Sequence, residues 1–158
     1  MIHVLFVCLG NICRSPMAEA VLRDKVKKNQ LDHLIKVDSA GTGDWHIGEQ
    51  PHKGTRKILE SNRVSYEGIV ARQVKSQDFD KFDYIVCMDN SNVQNVLKLT
   101  GSENAHIIRF MDLLPNEKLR EVPDPYYTGN FEEVYRLVDA GCDALLDMIQ
   151  KEHSLTSH

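Results

Sequence analysis

Residues 2–8, Ile-His-Val-Leu-Phe-Val-Cys, form a short apolar run that ends in a cysteine, and after a curl of five residues the chain enters a helix-forming stretch. Val, Ile, Leu and Phe at that density read as a strand buried on both faces. Ser15 stands where a helix N-cap belongs and Pro16 at the first helical position, so a helix is predicted from there. Met17, Ala20, Val21 and Val26 give it an inward face as far as about Lys28. The alternation then repeats. A second strand is predicted over 34–40, broken by Gly41-Thr42-Gly43, with a helix over 52–61 carrying Ile58 and Leu59. A third strand covers 83–88, and a helix over 91–99 ends near Gly101. A short fourth strand covers 106–110. A Pro-marked loop at 122–127 precedes a last helix over 131–151, with Val134, Leu137, Val138, Leu145, Leu146 and Ile149 facing in. Strands that alternate with helices predict an α/β fold: three layers, with a four-stranded parallel sheet covered by helices on both faces. No repeat, linker or low-complexity tract interrupts it. Residues 1–152 are expected to form one domain, and 153–158 a polar tail that frays.

The chain has 158 residues, 42% apolar and 27% charged, with a net charge of −4. That length supports one core and leaves little room for two. The charge offers no bulk attraction to nucleic acid or to an anionic membrane, so neither is an expected partner. The run Arg23 to Lys28 closes a helix, where cations suit the dipole and face solvent. Residues 4–9 are too few to span a bilayer, and no signal-peptide pattern opens the chain. Four cysteines (Cys8, Cys13, Cys87, Cys142) make no secreted disulfide framework, so a reducing cytoplasm is the expected setting. Cys87 and Cys142 fit core positions.

In parallel sheets, ligands bind beyond the carboxyl ends of strands, which is where Cys8 falls. The segment Cys8-Leu9-Gly10-Asn11-Ile12-Cys13-Arg14-Ser15 brings a thiol, a guanidinium and successive backbone N–H groups to one small space. Gly10 relieves crowding where the chain curls, and Asn11 tolerates a left-handed backbone. Amide groups of Leu9, Gly10, Asn11, Ile12 and Cys13, aided by the helix behind them, suit a phosphate dianion. Arg14 adds planar donors for two phosphate oxygens. A thiol at a helix N-terminus beside a cation is easily ionised and becomes a good nucleophile. Ser15 can offer its hydroxyl to the Cys8 sulfur. The Gly-x-x-x-x-Gly-Lys-Ser/Thr nucleotide loop is excluded, because the second Gly and the Lys are missing. Cys8 and Cys13 lack tight metal-ligand spacing and no histidine pair completes a set, so no metal and no cofactor are expected.

Residues 7–19, Val-Cys-Leu-Gly-Asn-Ile-Cys-Arg-Ser-Pro-Met-Ala-Glu, resemble the signature of the low-molecular-weight protein tyrosine phosphatases. Asp38-Ser39-Ala40-Gly41-Thr42, Asp44-Trp45, Ala71-Arg72-Gln73, Cys87-Met88-Asp89 and Asp124-Pro125-Tyr126-Tyr127 stand where that family has like segments. The likeness spans nearly the whole chain. It implies that Cys8 is a nucleophile, Arg14 and the loop amides hold phosphate, and Asp124 is the general acid and later base. It also implies an apolar collar of Leu9 and Ile12, pocket walls from Trp45, Tyr126 and Tyr127, and loop support from Asn11 with Ser39. Family members that prefer phosphoarginine carry Thr where this chain has Ile12, so phosphotyrosine-containing proteins are the implied partners. Some relatives place a His two residues before Ala-Arg-Gln; here that residue is Ile69. A reversible Cys8–Cys13 disulfide is implied as well. The rival on the same scaffold is a thioredoxin-coupled arsenate reductase, which needs further cysteines near the third strand. A catalytically inactive phosphate-binding module is the other alternative.

Overall fold

The computed structural model describes residues 1–100 and 106–155. Gly101, the expected helix stop, lies outside them, as do residues 156–158 of the expected tail. The elements follow in the order β1 (Ile2–Cys8), α1 (Arg14–Lys28), β2 (Ile35–Gly41), α2 (Lys53–Ser61), α3 (Asp78–Lys81), β3 (Tyr84–Cys87), α4 (Asn90–Thr100) and β4 (His106–Arg109). A 3₁₀ turn (Phe110–Leu113), α5 (Pro125–Thr128) and α6 (Phe131–Glu152) complete the chain. The four strands are parallel in the order β2-β1-β3-β4. This is the three-layer α/β architecture that the alternation predicts.

β1 explains the layering. Its side chains alternate, and both sets are buried. Val4, Phe6 and Cys8 join one core with Met17, Leu22, Leu137 and Leu145 from α1 and α6, with Leu59 of α2 beside them. Leu5 and Val7 join a second core with Phe79 of α3, Val96 of α4 and Ile85 and Cys87 of β3. Each such side chain, fully buried, contributes roughly 1.5–3 kcal/mol. β1 is therefore covered on both faces and paired on both edges, and Cys8 stands at its carboxyl end.

α1 begins earlier than the Ser15 cap predicts. Cys13 is the N-cap, Arg14 the first helical residue, and Ser15 and Pro16 lie inside the first turn. The first helical bond runs from the N–H of Met17 to the carbonyl of Cys13 at 3.3 Å. Proline costs nothing there, because an N–H at that position has no helical acceptor. The Ser15 hydroxyl is used elsewhere, as described below. At the other end, Lys25 reaches α6 and pairs with Asp139 and Asp143, both at 2.8 Å. The run Arg23 to Lys28 thus ties two helices together as well as facing solvent. His153 continues from α6 with its N–H on the Ile149 carbonyl, and Leu155 folds back onto the core.

Candidate active site

The loop from Leu9 to Cys13 is held from behind by its carbonyls. Those of Cys8 and Leu9 accept the N–H groups of Thr42 and Gly43, each at 2.9 Å; that of Ile12 accepts His52 N–H at 2.6 Å, and that of Cys13 the Thr55 hydroxyl at 3.2 Å. Among the described residues, no backbone acceptor takes the N–H groups of Leu9 to Cys13. A run of unpaired donors at a helix N-terminus is an anion cradle. Asn11 has φ 57°, the left-handed conformation its side chain tolerates. Gly41, at the end of β2, lets the loop settle: a Cβ there would stand 2.9 Å from the Leu9 carbonyl oxygen and 3.1 Å from Asn11 N.

Cys8 lies at the base of this curl. Ser15 Oγ is 2.9 Å from its sulfur. Asn11 Nδ2 donates to Ser15 Oγ at 2.8 Å and to Ser39 Oγ at 2.9 Å, and Asn11 Oδ1 accepts Arg72 N–H at 2.9 Å. Ser39 in turn donates to Glu19 Oε1 at 2.6 Å. Arg72 is pinned by Asp38 and Asp78. Asn11 and Ser39 are thus hydrogen-bonded to each other, while Ile69 is buried in the main core.

Arg14 is buried, yet its charge is balanced. Its guanidinium donates to Asp89 at 2.7 Å and to the Val122 carbonyl at 3.0 Å, and approaches Asp124 at 3.4 Å. Burial alone would ease off its proton; the nearby Cys8, Asp89 and Asp124 outweigh that and push its pKa upward. Asp124 is the N-cap of α5, accepting Tyr126 N–H at 3.1 Å. Pro125 fixes the first turn behind it. Among the described residues no group of three or more His, Cys, Asp or Glu side chains converges to hold a metal ion.

These groups open on a cleft of about 360 Å³. Cys8, Leu9, Gly10, Ile12, Cys13 and Arg14 form its floor; Trp45, His46, Asp124, Tyr126 and Tyr127 form its walls. Trp45, Tyr126 and Tyr127 stand largely exposed at the rim, with the two tyrosine rings edge to face at 5.3 Å. Of the site residues named from the sequence, ten line the cleft, and Asn11, Ser15 and Ser39 form the line of hydrogen bonds that reaches Cys8. Sequence reasoning missed Asp89, which holds Arg14 from 75 positions away, and His46, which lies against Gly10 and bonds Glu49. Asp89 falls inside a quoted family segment, but nothing local marks its task.

The other thiols are placed differently. Burial, then the neighbouring Cys8 and Asp124, push the Cys13 thiol up to about 12. Burial does the same to Cys87, also to about 12, and raises Cys142. Cys87 is the one cysteine in β3 and is fully buried, which leaves the arsenate-reductase reading without its relay.

An anion cradle with a thiol beneath it belongs to the class of enzymes that transfer phosphoryl groups through cysteine. The family profile described as low molecular weight phosphotyrosine protein phosphatase matches residues 3–155, and the chain belongs to that family. It is 55% identical over 156 residues to low molecular weight protein-tyrosine-phosphatase YfkJ of Bacillus subtilis, covering 98% of this chain and 100% of that one. It is 46% identical over 155 residues to PtpA of Staphylococcus aureus, a low molecular weight protein-tyrosine-phosphatase, with 98% of each covered. The crystal structure of B. subtilis YfkJ superposes with a TM-score of 0.94 over 96% of each chain. No helix among the described residues is long and apolar enough to cross a membrane.

Proposed function

We propose that this tyrosine phosphatase acts on phosphotyrosine-containing proteins in the cytoplasm, through a phosphocysteine on Cys8, and that residues 1–152 work as one domain. The observation that carries the reading is that Cys8 lines one cleft with buried Arg14 and with a loop, Leu9 to Cys13, whose N–H groups meet no backbone acceptor among the described residues. The phosphate seats on the N–H groups of Leu9 to Cys13 and on Arg14, whose orientation Asp89 and the Val122 carbonyl set beforehand. The Cys8 thiolate forms the S–P bond as the P–O bond to the ring breaks. The Asp124 carboxyl gives its proton to the leaving oxygen, releasing tyrosine. Asp124, now a carboxylate, takes a proton from water; the water oxygen attacks phosphorus, the S–P bond breaks, and its electrons return to sulfur. Ser15 donates to that departing sulfur. Trp45, Tyr126 and Tyr127 flank the ring, and Leu9 and Ile12 line its base, a geometry that suits a flat aryl group.

The test uses para-nitrophenyl phosphate and a phosphotyrosine peptide. Cys8→Ser is expected to abolish turnover, and Asp124→Ala to slow it by about 10²–10⁴-fold. Substantial turnover by Cys8→Ser ends the nucleophile assignment, and an unchanged rate in Asp124→Ala ends the acid assignment. Cys13 is proposed as the guard of the nucleophile. Peroxide converts the Cys8 thiolate to a sulfenic acid, and the Cys13 thiol then condenses with it, forming a disulfide and releasing water. Mass spectrometry after brief peroxide treatment should find the Cys8–Cys13 bridge; sulfonic acid on Cys8 alone contradicts it.

A further inference from the structure

Glu19, in the second turn of α1, is buried at 8% exposure and has no task in the chemistry above. Yet it ends an unbroken line of hydrogen bonds that starts at the nucleophile. Ser39 Oγ lies 2.6 Å from Glu19 Oε1 and 2.9 Å from Asn11 Nδ2; Asn11 Nδ2 lies 2.8 Å from Ser15 Oγ; Ser15 Oγ lies 2.9 Å from Cys8 Sγ. The amide nitrogen of Asn11 only donates, so its two protons go to the two serines. Ser39 donates its proton to the carboxylate, and once the Cys8 sulfur is ionised it can only accept, so Ser15 donates to the sulfur. Asn11 cannot turn over, because its Oδ1 holds Arg72 N–H at 2.9 Å.

Building on the reading of Cys8 as nucleophile, we propose that Glu19 is a positioning residue: its ionised carboxylate orients Ser39, Asn11 and Ser15, and so sets the hydrogen bond that Ser15 gives to the Cys8 sulfur. The bond from Ser39 is charge-assisted when Glu19 is ionised, and it polarises the bonds behind it. A neutral carboxyl gives neither effect. The charged groups that face Glu19 are Asp38 on β2, Arg23 on α1 and Arg72 on the segment before α3. Neither arginine pairs with it: Arg23 donates to the carbonyls of Ser65 and Glu67, and Arg72 to Asp38 and Asp78. Burial, opposed by the Ser39 bond, pushes the Glu19 carboxyl up to about 7. Its change of charge therefore falls where a cytoplasmic enzyme operates.

Glu19→Gln keeps the shape and an acceptor oxygen but cannot ionise. Turnover of para-nitrophenyl phosphate by the unaltered and Glu19→Gln proteins is measured from about pH 5 to about pH 8.5 and expressed as a ratio of kcat values. The ratio cancels titrations the two proteins share, that of the substrate included. It is expected to stay close to unity at the acid end and to rise to about fivefold at the alkaline end, the difference between a charge-assisted and a neutral bond. The midpoint is expected at about 7. In a Ser39→Ala background the same comparison should give a ratio near unity throughout, because the line is cut before Asn11. A deficit equal at every pH marks packing alone and overturns the proposal, as does a pH-dependent ratio that survives Ser39→Ala. Independently of any variant, the side-chain carboxyl ¹³C resonance of Glu19 in the unaltered protein should titrate at about 7. A carboxyl that stays protonated to the alkaline end of the range overturns the proposal too. The nucleophile reading is judged separately, by Cys8→Ser.

Discussion

Ser15 accepts a hydrogen bond from Asn11, and when the Cys8 sulfur carries charge the Ser15 hydroxyl donates to it. A bond to sulfur helps most when sulfur leaves phosphorus carrying charge. Ser15→Ala is therefore expected to lower kcat about tenfold, as loss of a hydrogen bond to a charged group does. KM should fall with it, because the phosphocysteine accumulates, and rapid-mixing kinetics should show a sharper burst of nitrophenol. An unchanged kcat denies the bond any part in breakdown. At this scale the sequence was informative where residue type and local spacing carry the chemistry. Cys8, Arg14, Ser15 and Asn11 lie within eight positions, and their contacts follow from one curl. Asp124 is distant, and only likeness to a family picked it out of an ordinary Asp-Pro turn. Asp89 and Glu19 were silent, because their tasks come from partners 75 and 20 positions away.

Among the elements, strands and long helices were legible because their side chains repeat with a period. β1 matched its predicted span, and α2, α4 and α6 differ by a residue or so at their ends. The four-residue pieces α3, α5 and the 3₁₀ turn were not legible, since four residues are too few for a period to show. The start of α1 lies earlier than the Ser15 cap predicts, with Cys13 as N-cap and the Ser15 hydroxyl against the Cys8 sulfur. Gly141, in the middle of α6, is another position that local rules misjudge. Alanine there should stabilise a helix by about 0.8–1 kcal/mol. In this fold a Cβ at Gly141 would lie 2.2 Å from Phe110 Cζ, and Phe110 is fully buried. Gly141→Ala is expected to destabilise the protein by about 1–3 kcal/mol in urea unfolding, the usual range for overpacking. A more stable variant means that Phe110 turns aside without cost.

For the molecule as a whole, Glu19 links stability to pH. Its carboxyl loses a proton at about 7 when folded, against an ordinary 4.5 when unfolded. Below about 4.5 both states hold the proton, and its contribution is fully present. As pH rises the unfolded chain ionises first, so stability falls until the folded carboxyl ionises at about 7. The loss amounts to about 3 kcal/mol across that window. Urea unfolding at both ends of it should show this loss in the unaltered protein relative to Glu19→Gln; equal slopes remove Glu19 from the account. The ionised form is thus the less stable one and, by the proposal above, the more active one. Topology has its own consequence. β1 pairs with β3 about eighty residues further on, and Asp89, Val122 and Asp124 come later still. During synthesis Cys8 leaves the ribosome together with its loop, but before Asp89, Val122 and Asp124, the groups that hold Arg14 in place. A half-made chain therefore carries that sulfur without the fixed guanidinium that favours its ionised form, and its full reactivity waits the seconds that the later segments take to emerge.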